Sequence, residues 1–310
     1  MTQSTFTTVA SYRQWRQAAR DARKTVGYVA TMGALHDGHL SLVRRSLREN
    51  DLTVLSIFVN PAQFAPHEDL KTYPKTLEND LKLLSAQSFQ DRTVSAVFAP
   101  TVKEMYPSGI TQDPAAQKGT FVEVKGFSYE MEGKSRPTFF RGVSTVVTKL
   151  FNVIEPTQTY FGQKDIQQAL LLRRMCRDLL LSHPVPENLH IVPTRRDNTD
   201  GLALSSRNTY LSAEARLVAP KLYEALQAGE AAWNEGLTKA QSVAKAVKVI
   251  QDTAGVRLDY IEMNDPETFE ALEDESRARG DAVILSGAAW VNTTRLIDNI
   301  ILGNANTIWG

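Results

Sequence analysis

Val26-Gly27-Tyr28-Val29-Ala30-Thr31 runs into Met32-Gly33-Ala34-Leu35-His36-Asp37-Gly38-His39, and then into Leu40-Ser41-Leu42-Val43-Arg44-Arg45-Ser46-Leu47. The first six residues have the apolar, β-branched and aromatic composition of a short buried strand. Leu40, Val43 and Leu47 recur at helical spacing. A strand, a glycine-bearing turn and a helix, in that order, open a βαβ unit.

The same alternation continues on both sides of that stretch. Tyr12 to Arg23 reads as a first surface helix, Leu52 to Val59 as a strand broken by Asn60-Pro61, and Thr76 to Ala86 as a helix. Ala96 to Ala99 reads as a short strand, Tyr106 to Gly119 as a loop, and Val143 to Val153 as a helix ending before Pro156. Thr159 to Phe161 is a strand, Lys164 to Leu180 a long helix, and Leu189 to Val192 a strand. Alternating strands and helices predict an α/β fold with a mostly parallel, doubly wound sheet. Ligands of such sheets sit beyond the carboxyl ends of the strands. The loops after Thr31, Val59, Phe161 and Val192 are therefore expected to share one rim.

Beyond about Thr194 the pattern changes. Arg195 to Asn208 is a polar loop, Ala213 to Asn234 and Leu237 to Thr253 read as helices, and Leu258 to Met263, Ala282 to Leu285 and Ala289 to Asn292 as strands. Arg295 to Ile301 is an apolar terminal segment. The expected organisation is a doubly wound domain over residues 1–194 and a smaller α+β domain over 195–310.

Lys plus Arg and Asp plus Glu number 35 each, so the formal net charge is zero. That disfavours an extended nucleic-acid surface, which needs excess basic charge. The single cysteine, Cys176, excludes an intrachain disulfide and a cysteine-rich metal site. Met1 to Ala10 has no apolar core of a signal peptide, and no apolar run approaches the ~18 residues of a membrane span. A soluble, cytoplasmic protein is expected.

Four clusters carry chemistry. In the first, Gly33 and Gly38 let backbone approach a ligand, while N–H groups at the start of the following helix favour an anion. His36 and His39 add imidazole donors for phosphate oxygens. A tight turn with two solvated histidines is the bland alternative. The second cluster is Gly162-Gln163-Lys164-Asp165, with Gln168 one turn beyond Lys164. Lys164 suits phosphate, and Asp165 suits a helix cap or a ribose hydroxyl. The third is Leu204-Ser205-Ser206-Arg207, two hydroxyls and a guanidinium that suit a phosphate clamp. The fourth is Asn60-Pro61-Ala62-Gln63, whose neutral amides suit a hydroxyl or carboxylate of a small substrate. Neither the P-loop nor the dinucleotide fingerprint occurs.

Together, and in this order, the clusters resemble the pantothenate synthetase (pantoate–β-alanine ligase) family. Glu68 to Thr76, Leu258-Asp259-Tyr260 and Thr294 to Asn299 extend the likeness to the C-terminus. The resemblance implies a Rossmann-like domain of the His-x-Gly-His nucleotidyl-transferase type with a C-terminal lid. It implies that ATP and pantoate form pantoyl-adenylate and pyrophosphate, and that β-alanine then gives pantothenate and AMP. By position it assigns Met32, Gly33, Ala34, Leu35, His36, Asp37, Gly38 and His39 to ATP, with His39 as proton donor. Gly162, Gln163, Lys164 and Asp165, and Leu204, Ser205, Ser206 and Arg207, are assigned to ATP as well. His36, Lys164 and Arg207 join His39 as the expected catalytic groups. Asn60, Gln63 and Gln168 are expected to bind substrate. Magnesium and a homodimer are implied too. The chain departs from the family at Phe139, where Arg136-Pro137 is not followed by Gly-His. It departs again at Asn79, which replaces an acid in the run Glu78-Asn79-Asp80 linked to magnesium, so no metal ligand is assigned. Residues 87–94 and 110–119 read as insertions. A nucleotidyl transferase acting on a phosphorylated substrate, or a nucleotide-sensing module without turnover, would share the phosphate-binding features.

Overall fold

The computed structural model describes residues 3–66 and 68–309. Two compact units emerge. One comprises the residues up to Phe161 together with Gln168–Val192, the other Gly162–Gln167 together with the residues from Pro193 onward. Among the described residues, no helix is long and apolar enough to cross a membrane.

As far as Val192 the elements are β1 (Ser4–Phe6), α1 (Val9–Asp21), β2 (Val26–Thr31), α2 (Asp37–Glu49), β3 (Leu52–Ile57), α3 (Leu77–Ser85), β4 (Ser88–Phe89) and β5 (Arg92–Phe98). They continue with α4 (Val102–Met105), α5 (Glu132–Ser135), α6 (Phe139–Ile154), β6 (Gln158–Gly162), α7 (Ile166–Asp178) and β7 (Leu189–Val192). The sheet order is β1-β5-β3-β2-β6-β7, with β4 paired to β5 as an antiparallel flap. β1, β5, β3, β2 and β6 pair in parallel. From β2 the chain builds outward through β3 and β5, then returns to add β6 on the other side of β2. That reversal creates a switch point at the carboxyl ends of β2 and β6, where open α/β sheets bind ligands. Thr31 and Ile57 are register partners, and so are Ser56 and Phe98. The loops after β2, β3 and β5 therefore leave the sheet at one level.

Alternating residues explain why the strands read as continuous apolar runs. Val29, Leu55 and Val97 pack with Leu40, Val43, Leu47 and Leu84 of α2 and α3. Tyr28 and Phe98, one residue out of phase, meet Phe151 of α6 and Tyr12 of α1 at ring separations of 6.2 and 5.5 Å. Both faces are covered, so neither needs to be polar.

The second unit contains α8 (Ala213–Val218), α9 (Lys221–Asn234), α10 (Lys239–Gln251), β8 (Val256–Asn264), β9 (Val283–Val291), β10 (Thr294–Leu302) and α11 (Asn306–Trp309). Its sheet is antiparallel in the order β10-β9-β8. Leu226 and Trp233 of α9 and Ala246 and Ile250 of α10 pack on Ile261, Met263 and Leu285. The expected fold class, a parallel doubly wound sheet with a smaller α+β part, is the one observed.

Several element boundaries differ from the sequence expectation. The helix expected over Ala213 to Asn234 is two helices, because Pro220 lacks the N–H that would continue the first. The two strands expected at Ala282 to Leu285 and Ala289 to Asn292 are one, β9. Gly287 at its centre is closely packed: a Cβ there would stand 3.2 Å from side-chain atoms of Ile261 and Leu222. The segment 87–94, expected as an insertion, folds back as the β4–β5 hairpin and lengthens the strand expected at Ala96 to Ala99. The helix expected from Lys164 starts with a 3-10 turn over Gln163–Asp165.

Candidate active site

The loop after β2 is held from beneath. Thr31 donates its hydroxyl to Ser56 O at 2.7 Å and accepts the Gly33 N–H at 3.3 Å. Gly33 and Ala34 then turn through φ of 87° and 51°. A left-handed alanine is uncommon and needs support. Asp80, fully buried on α3, supplies it. Its Oδ1 accepts the Leu35 N–H at 2.8 Å, and its Oδ2 accepts the Ala34 N–H and the Thr76 hydroxyl, both at 3.1 Å. A Cβ on Gly33 would lie 3.0 Å from that same Oδ2, so space and φ both demand glycine.

The two imidazoles are oriented by backbone. His36 is the N-cap of α2, and its Nδ1 accepts the Gly38 N–H at 3.1 Å. His39 Nδ1 reaches back to the His36 N–H at 3.4 Å, completing a reciprocal capping box. The rings lie 4.1 Å apart, centroid to centroid. A nitrogen that accepts carries no proton, so each ring is the tautomer with hydrogen on Nε2. Both histidines cap the helix with one nitrogen and keep a donor on the other. Asp37, in the first turn of α2, is bound by Arg44 at 2.7 Å. The N-terminus of α2 sets the positive end of the helix dipole beside these rings, an arrangement that favours an anion.

β3 leads into Asn60 and a 3-10 turn over Pro61–Gln63. Asn60 is buried, while Gln63 and Gln168 are half-buried. Gln63 Nε2 lies 3.1 Å from Met32 Sδ, so the fourth cluster meets the first. The Arg136 guanidinium grips the Glu68 carboxylate through Nε at 2.7 Å and Nη2 at 2.8 Å, and the Gln63 carbonyl at 3.3 Å. The same guanidinium lies 3.8 Å over the Phe139 ring. Phe139, the departure from the family pattern, therefore supports the arginine that braces Gln63's turn.

The second unit carries the other two clusters. Asn299, buried on β10, donates its amide to the carbonyls of Gln163 and Lys164, each at 2.9 Å. Its Oδ1 accepts Gln163 Nε2 at 3.2 Å, and Gln163 Oε1 accepts the Trp309 indole N–H at 3.2 Å. The Gln163 side chain is thus turned into the protein, while Lys164 follows it half-exposed beside Asp165 at 3.8 Å. Before Ser205-Ser206-Arg207 the chain forms a small hairpin, with Leu204 N–H on Arg195 O at 3.0 Å. Arg196 of that hairpin pairs with buried Asp298 at 2.5 and 2.9 Å and lies 3.5 Å over Tyr223. Ser205 Oγ caps the following 3-10 turn by accepting the Arg207 N–H at 3.3 Å.

Asp80 and Asn299 had no individual role in the sequence reading. Asp80 stood there as one acid of a metal-linked run. Its two oxygens are instead occupied by backbone and Thr76. Among the described residues, no group of three or more His, Cys, Asp or Glu could hold a metal ion.

A parallel sheet whose switch point carries a helix N-terminus and two backbone-oriented imidazoles defines a nucleotide-binding α/β protein of the Rossmann-like kind. Within that class the chain belongs to the pantoate–β-alanine ligase family, whose model matches residues 4–301. It is 45% identical over 297 residues to the pantothenate synthetase of Thermotoga petrophila, covering 96% of this chain and 98% of that one. It is 42% identical over 316 residues to the pantoate–β-alanine ligase of Saccharomyces cerevisiae, covering 96% and 99%. The crystal structure of pantothenate synthetase from Thermus thermophilus superposes with a TM-score of 0.81 at 43% identity, over 96% and 98% of the two chains. The ligase from Francisella tularensis, crystallised with β-γ ATP and β-alanine, matches with a TM-score of 0.74 at 30% identity, over 97% and 98%.

Proposed function

We propose that this protein condenses pantoate with β-alanine, driven by ATP, to give pantothenate, AMP and pyrophosphate. The observation that carries the reading is the pair of Nε2–H donors, His36 and His39, fixed at the start of α2 in a chain of this family.

The chemistry has two steps. A pantoate carboxylate oxygen attacks the α-phosphorus of ATP; the bond to the bridging oxygen breaks, and pyrophosphate leaves with the electron pair. The β-alanine amine then attacks the acyl carbon of pantoyl-adenylate, loses a proton, and AMP departs. Two anions must meet in the first step, so donors aimed at the phosphates supply most of the help. In this reading the Met32 to His39 backbone and both imidazoles hold the phosphates, and His39 donates toward the oxygen on which charge develops. Lys164 and Arg207 offset charge on the leaving pyrophosphate, with Ser205 and Ser206 as further donors. Gly162, Gln163 and Leu204 line the nucleotide through backbone, and Asp165 through its carboxylate. Gln63 and Gln168 hold pantoate, and Asn60, expected from sequence to bind it too, is buried and instead backs Gln63. The second unit acts as a lid that keeps water from the acyl-adenylate.

The test is one incubation with ATP, pantoate and β-alanine, read by mass spectrometry. AMP and pantothenate are expected in equal amounts. ADP as the nucleotide product would mean an acyl-phosphate route, and an adenylylated product without free AMP would mean a nucleotidyl transferase. A homodimer in the cytoplasm is the expected setting, and light scattering checks the assembly.

A further inference from the structure

Tyr106 opens the segment read from sequence as a loop. The residue is buried, and its hydroxyl lies 2.6 Å from Asn60 Oδ1. The polarity of this contact is fixed by groups whose own roles are beyond question. The Ala62 N–H, which only donates, is 3.3 Å from Asn60 Oδ1. The Gly142 carbonyl, which only accepts, is 3.1 Å from Asn60 Nδ2. The Asn60 amide therefore has one orientation, and Tyr106 must be the donor to it. Asn60 Nδ2 also lies 3.1 Å from the Gln63 side chain, so Gln63 must meet it with Oε1. The remaining end of Gln63 is then its amide nitrogen. The contact it makes there is the thioether of Met32, a weak acceptor for a full amide donor.

We propose that Tyr106 is a positioning residue for the acid-binding site: through Asn60 it fixes Gln63 so that only N–H is presented to substrate. This rests on the reading of Gln63 as a pantoate-binding residue. The site then selects an acceptor, a carboxylate or hydroxyl oxygen lone pair, and rejects a donor at that point. Burial pushes the Tyr106 phenol well above its ordinary range, so the hydroxyl keeps its proton throughout neutral pH. Lys149 holds the ring in place, with Nζ 3.9 Å from the ring centroid and 2.8 Å from the Met105 carbonyl. The sequence hides this because Tyr106 and Gln63 lie on loops after different strands.

The experiment compares Gln63→Glu, Gln63→Ala and Tyr106→Phe with wild type in steady-state titrations of pantoate and ATP, with thermal melts on the same samples. Gln63→Glu keeps the oxygen that faces Asn60 and replaces the outward N–H by a carboxylate oxygen. Its pantoate KM is expected to rise at least as much as that of Gln63→Ala, by about tenfold or more, with the ATP KM within about twofold. Tyr106→Phe, which removes one oxygen from an otherwise intact ring, is expected to raise the pantoate KM about fivefold and to spare the ATP KM. A pantoate KM unchanged in Gln63→Glu overturns the assigned polarity. A Tyr106→Phe enzyme with unchanged pantoate KM, whatever its melting temperature, returns Tyr106 to packing and overturns its positioning role. Wild type that forms no AMP from pantoate overturns the functional reading and this proposal with it.

Discussion

Asp80 and Leu35, 45 residues apart, are joined by a 2.8 Å hydrogen bond from the Leu35 N–H to the Asp80 carboxylate. The carboxylate is fully buried, and its second oxygen holds Ala34 in its left-handed turn. The shape of the loop after β2 is therefore set by a buried acid on α3.

Asp80→Asn should expose that role. An asparagine has one acceptor oxygen where the loop needs two, and its NH2 would face a backbone N–H. A buried donor left unmatched costs about 1–3 kcal/mol. A lower melting temperature is expected, together with an ATP KM raised about fivefold or more. If Asp80 acted by binding magnesium, raising the magnesium concentration would restore the variant. No restoration is expected.

Asn299 does the same for the loop that bears Lys164, through two backbone carbonyls. Asn299→Ala leaves those carbonyls without their donor, whereas Asn299→Asp points a carboxylate oxygen at them. The aspartate variant should be the worse of the two, both in melting temperature and in the rate of pyrophosphate release. Equal behaviour of the two variants would show that only packing matters at this position.

His190 on β7 supplies a pH-dependent contribution. The ring stacks on Tyr160 at 5.4 Å, and neither nitrogen finds a hydrogen-bond partner among the described residues. Burial, helped by Arg45 and Arg173 and opposed by Glu49, holds its pKa below the ordinary histidine value. The neutral ring is thus the folded form. Its contribution to stability is complete above the unfolded pKa of ~6.5 and is lost as pH falls from there through the lower folded value. Melting temperatures between pH 8 and pH 5 should fall more steeply for wild type than for His190→Phe. Parallel curves would remove His190 from the acid response.

The sequence revealed the parts of this protein that are contiguous. Val26 to Leu47 carries strand, turn and helix in one run, and both imidazoles with it, so the first βα unit and the loop that joins strand to helix were readable directly. The turn at Asn60 to Gln63 was readable for the same reason. Asp80, Asn299 and Tyr106 were not, because their partners lie on other elements and nothing in a local pattern marks a buried acid or amide as a brace for distant backbone. Gly287 lies between the two strands that the sequence suggested, and only its pairing with β8 and β10 joins them into one.

His39→Ala and Lys164→Ala should cut adenylate formation while leaving the fold intact. Both residues sit at loop–helix junctions, half-exposed, where truncation opens no core cavity. Loss of one donor acting on developing charge costs about 2.7–4 kcal/mol, or ~10²–10³ in rate. His39 also closes a capping box, which adds a loss of stability on the order of 1 kcal/mol or less. Near wild-type single-turnover rates in both variants would leave the two residues with structural roles alone.

The acyl-adenylate route makes a joint demand: pyrophosphate must leave before the amine is added, and the retained adenylate must then yield AMP to it. Enzyme in stoichiometric excess over ATP, mixed with pantoate and no β-alanine in a quenched-flow instrument, should release one equivalent of pyrophosphate and retain one of pantoyl-adenylate. Adding β-alanine should then convert that adenylate to pantothenate and AMP with no second burst of pyrophosphate. Pyrophosphate that appears only after β-alanine is added, or phosphate and ADP in its place, would contradict the mechanism.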